Sequence, residues 1–231
     1  MKKEVFDRIK GGLIVSCQAL ENEPLHSSYI MSRMAYAAYE SGASGIRANS
    51  VADIRSIKDT VNLPIIGIIK IDYDDSEVYI TPTIKEVDEL VECGTDIIAV
   101  DATDRVRPNG KTLDEFFKEV REKYPEQIFM ADCSTYEEGL HAAKIGFDIV
   151  GTTMHGYTSY TSGAKLPNIE LIKKLVDNCG THVIAEGGIW TPDDLASCME
   201  QGVLAAVVGS AITRPQEITK RFMKAIKKGG C

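Results

Sequence analysis

Val183-Ile184-Ala185-Glu186-Gly187-Gly188-Ile189 is followed, one helix-length later, by Ala206-Val207-Val208-Gly209-Ser210-Ala211-Ile212-Thr213-Arg214-Pro215. Each stretch is a short apolar run that ends in glycine. In a parallel α/β barrel the turns after the seventh and eighth strands form a phosphate cradle. Glycine lets backbone N–H groups approach the anion, and the start of a following helix adds its positive end. The pair predicts a phosphorylated substrate.

Outward from these two turns, apolar β-rich runs alternate with amphipathic helical stretches along the whole chain. The other six runs are Gly12–Cys17, Gly45–Ala48, Pro64–Lys70, Asp96–Asp101, Gln127–Asp132 and Asp148–Thr153, which brings the total to eight. Glycine or asparagine stops close the helical stretches at Gly42, Gly94, Gly146, Asn178-Cys179-Gly180 and Gly202, while Thr135 and Thr191-Pro192 read as helix starts. Strands this apolar belong to a parallel sheet covered on both faces. The fold class expected is α/β, one (β/α)8 TIM barrel over residues 1–231. An open doubly wound sheet is the runner-up, and no G-x-G-x-x-G follows the first strand to support it.

The 231 residues suit one barrel, with 44% hydrophobic and 26% charged residues and a net charge of -8. This acidity argues against nucleic acid or an anionic membrane as partner, so a small anion would need a local basic pocket. Residues 1–10 lack a hydrophobic signal region and no apolar run reaches membrane-spanning length, which makes a cytoplasmic location the expectation. Six cysteines are scattered without a C-x-x-C pair and read as reduced thiols, with Cys17 and Cys133 better taken as apolar filler than as pocket lining. Cys231 carries no lipidation motif. The four histidines show no ligand spacing, so no metal is expected.

Barrel chemistry sits at the C-terminal ends of strands. Those ends read Cys17-Gln18, Arg47-Ala48-Asn49, Lys70, Asp101-Ala102-Thr103, Asp132, Thr152-Thr153, Glu186 and Gly209-Ser210. Lys70 is the sharpest, because it ends a strand that otherwise carries no charge. Among apolar walls and beside Arg47 its pKa would fall, making it a usable base or Schiff-base nucleophile, against the plain alternative of a lysine reaching solvent. Glu186 and Asp132 can donate protons, hold a lysine or accept hydroxyls, or can simply cap helices or pair with Arg47. Asp101 reads equally well as a loop-fixing residue. Arg47 and Arg214 are the candidates for substrate anions, with a surface salt bridge as the competing view for Arg214. The polar, aromatic loop His155–Gly163 reads as a lid, a sugar contact or a mobile surface loop.

A family resemblance runs through Leu13–Leu20, Glu23–Ser28, Gly45–Ala48, Pro64–Lys70, Tyr79–Thr83, Asp101–Thr103, Gly156–Thr158 and Ala211–Pro215, nearly end to end and in order. Together these segments resemble the N-acylglucosamine-6-phosphate 2-epimerases, also called N-acetylmannosamine-6-phosphate 2-epimerases. The resemblance implies a barrel of the ribulose-phosphate-binding type. It implies conversion of N-acetylmannosamine 6-phosphate to N-acetylglucosamine 6-phosphate in sialic acid degradation, without a metal or organic cofactor. It also implies Lys70 as base, Glu186 as its carboxylate partner, and Gln18, Arg47 and Asp132 as substrate contacts. The phosphate would sit on Gly187, Gly188, Gly209, Ser210 and Arg214. Two departures bear on the phosphate contacts: Trp190 after the Glu186 turn, and Gly209-Ser210 where the family pattern has a double glycine.

Two other classes fit parts of this pattern: a Schiff-base sugar-phosphate aldolase or lyase acting through Lys70, and a non-catalytic sugar-phosphate sensor. A barrel of this size is expected to pair through its helices as a homodimer.

Overall fold

Each of the eight apolar runs forms a strand: β1 (Gly12–Cys17), β2 (Gly45–Asn49), β3 (Ile65–Ile68), β4 (Ile97–Asp101), β5 (Ile128–Asp132), β6 (Ile149–Gly151), β7 (His182–Glu186) and β8 (Ala205–Val208). In the computed structural model, which describes residues 2–228, neighbours pair in parallel in chain order and β1 pairs with β8, closing the barrel. The doubly wound alternative is thereby excluded. Cys231 lies outside the described residues.

The helices are α1 (Lys2–Ile9), α2 (Ser28–Glu40), α3 (Val51–Lys58), α4 (Ile84–Glu92), α5 (Leu113–Lys123), α6 (Tyr136–Ile145), α7 (Ile169–Asn178), α8 (Pro192–Met199), α9 (Ser210–Thr213) and α10 (Pro215–Lys228). Thr135 and Thr191 cap α6 and α8 through reciprocal capping boxes, as their sequence positions predict. Thr83 and Thr112 do the same for α4 and α5. The glycine stops also hold: Gly146 ends α6 in the left-handed region at φ 103°, where a side chain would be strained. None of the described helices is long and apolar enough to cross a membrane.

Alternation along the strands divides the core in two. One set, including Ile14, Ile66, Ile97, Ala99, Ile128, Met130, Ile149, Ile184 and Val207, fills the barrel interior. The other, including Val15, Ile46, Ile98, Phe129, Val150, Val183 and Ala206, faces the helices. Following the interior parity toward the strand ends meets Ser16, Arg47, Lys70, Asp132 and Glu186 in turn. The polar groups therefore form the top of the inner layer, above an apolar plug.

Two features differ from the sequence reading. Residues 2–9, unassigned by periodicity, form α1, whose Val5, Phe6 and Ile9 pack against the interior cluster. Phe6 also packs against His182 at the start of β7, with ring centroids 4.5 Å apart and the planes tilted by 46°. β3 and β6 end earlier than their apolar runs, because Lys70 leaves the ladder to bridge Ile80 and Thr152 turns away after Gly151.

Candidate active site

The C-terminal mouth of the barrel holds a cavity lined by groups from all round the rim: Ser16, Gln18, Arg47, Lys70, Tyr79, Thr153, Met154, Tyr157, Glu186, Gly187, Gly209, Ser210 and Arg214 among them. At its floor lies an ionic cluster. Arg47, only 1% exposed, grips Asp132 with both arms, Nη1 to Oδ1 at 3.1 Å and Nη2 to Oδ2 at 2.5 Å. The same Nη1 donates to Glu186 Oε2 at 2.8 Å. Burial works against the guanidinium charge, but Asp132 and then Glu186 outweigh it and hold the Arg47 pKa above its usual value.

Lys70 sits just beyond β3, held through its backbone. Its N–H donates to Asn49 Oδ1 at 2.8 Å, and its strand segment pairs with Ile80. The backbone beside both anchors is strained: Ser50, after Asn49, has φ 78°, and Thr81, after Ile80, has φ 45°. Among the described residues the Lys70 amine makes no hydrogen bond and no ion pair. Burial and then the nearby Arg47 push its pKa down, with Glu186 and Asp132 pulling partly the other way. Burial, opposed by Arg47 and reinforced by Asp132, pushes the Glu186 carboxyl up to about 7. A lysine and a glutamate with pKa values driven toward each other are suited to exchanging protons near neutrality.

This geometry revises three expectations. Glu186 does not hold the Lys70 amine; its Oε2 is taken by Arg47 and by Thr153 Oγ1, at 3.1 Å. Asp132 is completely buried and absent from the cavity wall, with Arg47 and Thr153 bonded to it beneath the floor. Arg47 reaches the cavity, but both terminal nitrogens of the fork expected to meet a substrate anion are engaged by carboxyl groups, and Nε has no partner among the described residues.

At the opposite end, Gly187, Gly209, Ser210 and Arg214 line the cavity together. Gly209 is the N-cap of α9 and Ser210 its first residue, so the serine keeps its backbone donor where a second glycine was expected. Gly188 is not on the wall. It packs on Leu166, whose Cβ would lie 2.2 Å from any Cβ added there, and that contact accounts for the glycine. Arg214 is paired with Glu23 of the β1–α2 loop, as the salt-bridge alternative had it, while still lining the cavity. Trp190 points to α10, where Arg221 lies 4.1 Å over its ring. Gln18 donates to Ser16 Oγ at 2.6 Å, and its Oε1 is buried without a partner among the described residues.

The remaining candidates are structural. Asp101 accepts from Thr103 and Arg105 and fixes its own loop. Cys17 and Cys133 are buried in the helix-facing layer, and burial raises both thiols, Cys17 to about 12. The His155–Gly163 loop is pinned, with the Ser134, Thr158 and Thr161 hydroxyls bonded to one another and Tyr160 donating to Glu138. It gives the cavity Tyr157 as a fixed wall.

Sequence reading gave no role to Ser16, Tyr79 or Met154, and placed Thr153 and Tyr157 only within a strand end and a loop. Ser16 and Thr153 continue the inward parity of β1 and β6 and could have been found that way. Tyr79 and Tyr157 come from loops, where no period marks them. Among the described residues, no three His, Cys, Asp or Glu side chains cluster to hold a metal ion.

A family model described as "Putative N-acetylmannosamine-6-phosphate epimerase" matches residues 31–228. A relative from Caldanaerobacter subterraneus subsp. tengcongensis, named "Putative N-acetylmannosamine-6-phosphate 2-epimerase", is 51% identical over 99% of this chain and 96% of its own length. One from Clostridioides difficile with the same name is 55% identical over 96% of this chain and 99% of its own. The solved N-acetylmannosamine-6-phosphate 2-epimerase of Clostridium perfringens superposes with a TM-score of 0.91 at 53% identity, covering 95% of each chain. A thiamine phosphate pyrophosphorylase from Pyrococcus furiosus, with a TM-score of 0.62 at 18% identity, shares the fold alone. A matched barrel and near full-length identity above one half carry the conclusion: the chain belongs to the N-acetylmannosamine-6-phosphate 2-epimerase family.

Proposed function

We propose that this chain interconverts N-acetyl-D-mannosamine 6-phosphate and N-acetyl-D-glucosamine 6-phosphate by removing and returning the proton at C2, a step of sialic acid degradation. The observation that carries the reading is the Lys70 amine: it makes no ion pair among the described residues, its pKa is lowered, and it faces a cavity whose far end is built from glycine turns and Arg214. In the open-chain sugar, C2 lies next to the C1 aldehyde. Lys70 takes the C2 proton, and the electron pair moves onto O1 as an enolate. Returning a proton to the opposite face of C2 gives the epimer, with no bond to the enzyme formed.

Arg47 keeps Asp132 and Glu186 in place and supplies the positive field that favours a neutral amine. Gly187, Gly209, Ser210 and Arg214 take the phosphate, anchoring the end of the sugar remote from C2 and lending binding energy to its alignment. Gln18, on the cavity wall, contacts the sugar through its amide. The chain works in the cytoplasm.

A homodimer is supported by α10. Phe222, Met223 and Ile226 share one face of this helix and are exposed by 72%, 49% and 69%. Leu13, Val15, Met34, Ala38 and Ile212 line an apolar groove among β1, α2 and α9. Two copies pairing through these surfaces would bury both; Phe222→Glu should then sediment as a monomer, and a variant that still sediments as a dimer would overturn this pairing.

Proton NMR with N-acetylmannosamine 6-phosphate in deuterated water tests the reaction. The expected result is the gluco epimer with deuterium at C2. A cleavage product, or an adduct trapped by borohydride, would transfer the assignment to a Schiff-base lyase; binding of the sugar phosphate without turnover would make the chain a sensor.

A further inference from the structure

The cluster around Glu186 contains one hydroxyl whose hydrogen bonds do not balance unless a proton is added. Thr153 Oγ1 lies 2.6 Å from Asp132 Oδ1 and 3.1 Å from Glu186 Oε2. A threonine hydroxyl has a single proton to donate. Asp132 receives both arms of Arg47, the geometry of an ionised carboxylate, and its contact with Thr153 is the shorter one. The Thr153 proton therefore points at Asp132. Glu186 Oε2 then faces a hydroxyl lone pair, which is favourable only when Glu186 itself carries the proton.

We propose that Thr153 is a positioning residue that keeps a proton on Glu186, so that the Lys70 amine faces a neutral acid instead of a carboxylate. The bonds then run in one direction, from Glu186 Oε2–H to Thr153 Oγ1, and from Thr153 O–H to Asp132 Oδ1. Arg47 Nη1 donates to both carboxyl groups, at 3.1 Å and 2.8 Å, in either protonation state.

The groups facing Glu186 agree with this count. They are Arg47 from β2, Lys70 beyond β3, Asp132 from β5 and Tyr157 from the loop after β6. Arg47 brings one positive charge to two carboxyl groups, so with Asp132 ionised a second carboxylate would leave the trio one negative charge in excess, and Lys70 makes no ion pair among the described residues. A proton on Glu186 removes that unbalanced charge. It also leaves the amine without an anion to hold it in the ammonium form, which is what a base requires. The inference rests on the reading of Lys70 as that base.

Difference infrared spectroscopy of the ligand-free enzyme tests it without turnover. Between about pH 5 and pH 9 a protonated-carboxyl band is expected, and Glu186→Gln identifies it by removing it. In Thr153→Val the neutral acid loses its acceptor, so the band should disappear about one pH unit lower. An ionised Glu186 favours the ammonium form of Lys70, so the lower limb of the kcat/KM profile should move to higher pH in the same variant. Thr153→Ser keeps the hydroxyl and should match the wild type in both measurements.

A Glu186 band that titrates at an unchanged or higher pH in Thr153→Val overturns the proposal. So does wild-type enzyme with no Glu186 band at neutral pH, a result that needs no folded variant. If the epimerase reading itself failed, turnover would be missing while the infrared titration stayed as described.

Discussion

Arg47 and Arg107 are both buried almost completely, at 1% and 2% exposure, and they are held in opposite ways. Arg47 is held by the Asp132 carboxylate, which takes both arms of its fork, and by the Glu186 carboxyl group, and its pKa is raised. Arg107 is held by dipoles: its Nη1 donates to Pro82 O at 2.9 Å, its Nη2 to the carbonyl of Asp101, and its guanidinium lies 3.9 Å over the Phe116 ring. Burial lowers its pKa to about 10, only partly offset by Asp101. Carbonyls tie the end of β4 to the loop before α4, where nothing needs to change protonation. Carboxyl groups surround Arg47, where a proton is to be moved. A buried cation thus serves as a rivet in one place and as a source of field in the other.

The contrast is broken most severely at Arg47. Arg47→Ala leaves two carboxyl groups without their cation, and should cost about 3–5 kcal/mol in urea unfolding. It should also lower turnover by about a thousandfold. A variant with wild-type stability would show that the cluster does not depend on this charge. Lys70→Ala should separate activity from stability: turnover falls by about 10²- to 10⁴-fold with no loss of melting temperature, since a disfavoured buried amine is removed. Arg107→Met reverses the pattern, with about 2–4 kcal/mol lost from orphaned carbonyls and kcat/KM kept within about tenfold.

The pH dependence of melting sharpens the comparison. The Glu186 pKa is raised to about 7 from 4.5, so its contribution to stability is complete below 4.5 and is lost as pH rises through 7. Melting temperature should fall across that window, and the fall should shrink in Glu186→Gln. Lys70, with its pKa lowered, acts with the opposite sign, its contribution being lost as pH falls through its folded value. The smallest effect is at Thr83, next to the Pro82 carbonyl that Arg107 holds. Thr83→Ala removes the α4 capping box and should cost about 1 kcal/mol, a few degrees in a thermal scan with activity unchanged.

Much of this arrangement was legible before any coordinates. Strand alternation alone puts Arg47, Lys70, Asp132 and Glu186 on the inner face, because side-chain direction repeats every two residues. Who pairs with whom was not legible. Arg47 reaches β5 and β7, and that depends on the width of the closed barrel, which no local pattern encodes. The partner of Arg214 is Glu23, 191 positions away in a loop without period. Tyr79 enters the cavity because the chain folds back from Lys70 to pair with Ile80. The N-terminal α1 was missed because Val5, Phe6 and Ile9 make up barely two turns, too short for a helical period to emerge from charged neighbours.

The chain divides the floor of its cavity unevenly. Arg47 and Lys70 belong to the segment that ends with β4, and Asp132, Thr153 and Glu186 to the segment that begins with β5. Cut between β4 and β5, one fragment would carry buried positive charge and the other buried negative charge, and neither could compact without leaving it unanswered. The two fragments would attract each other, and activity on mixing them would report that the ring had closed.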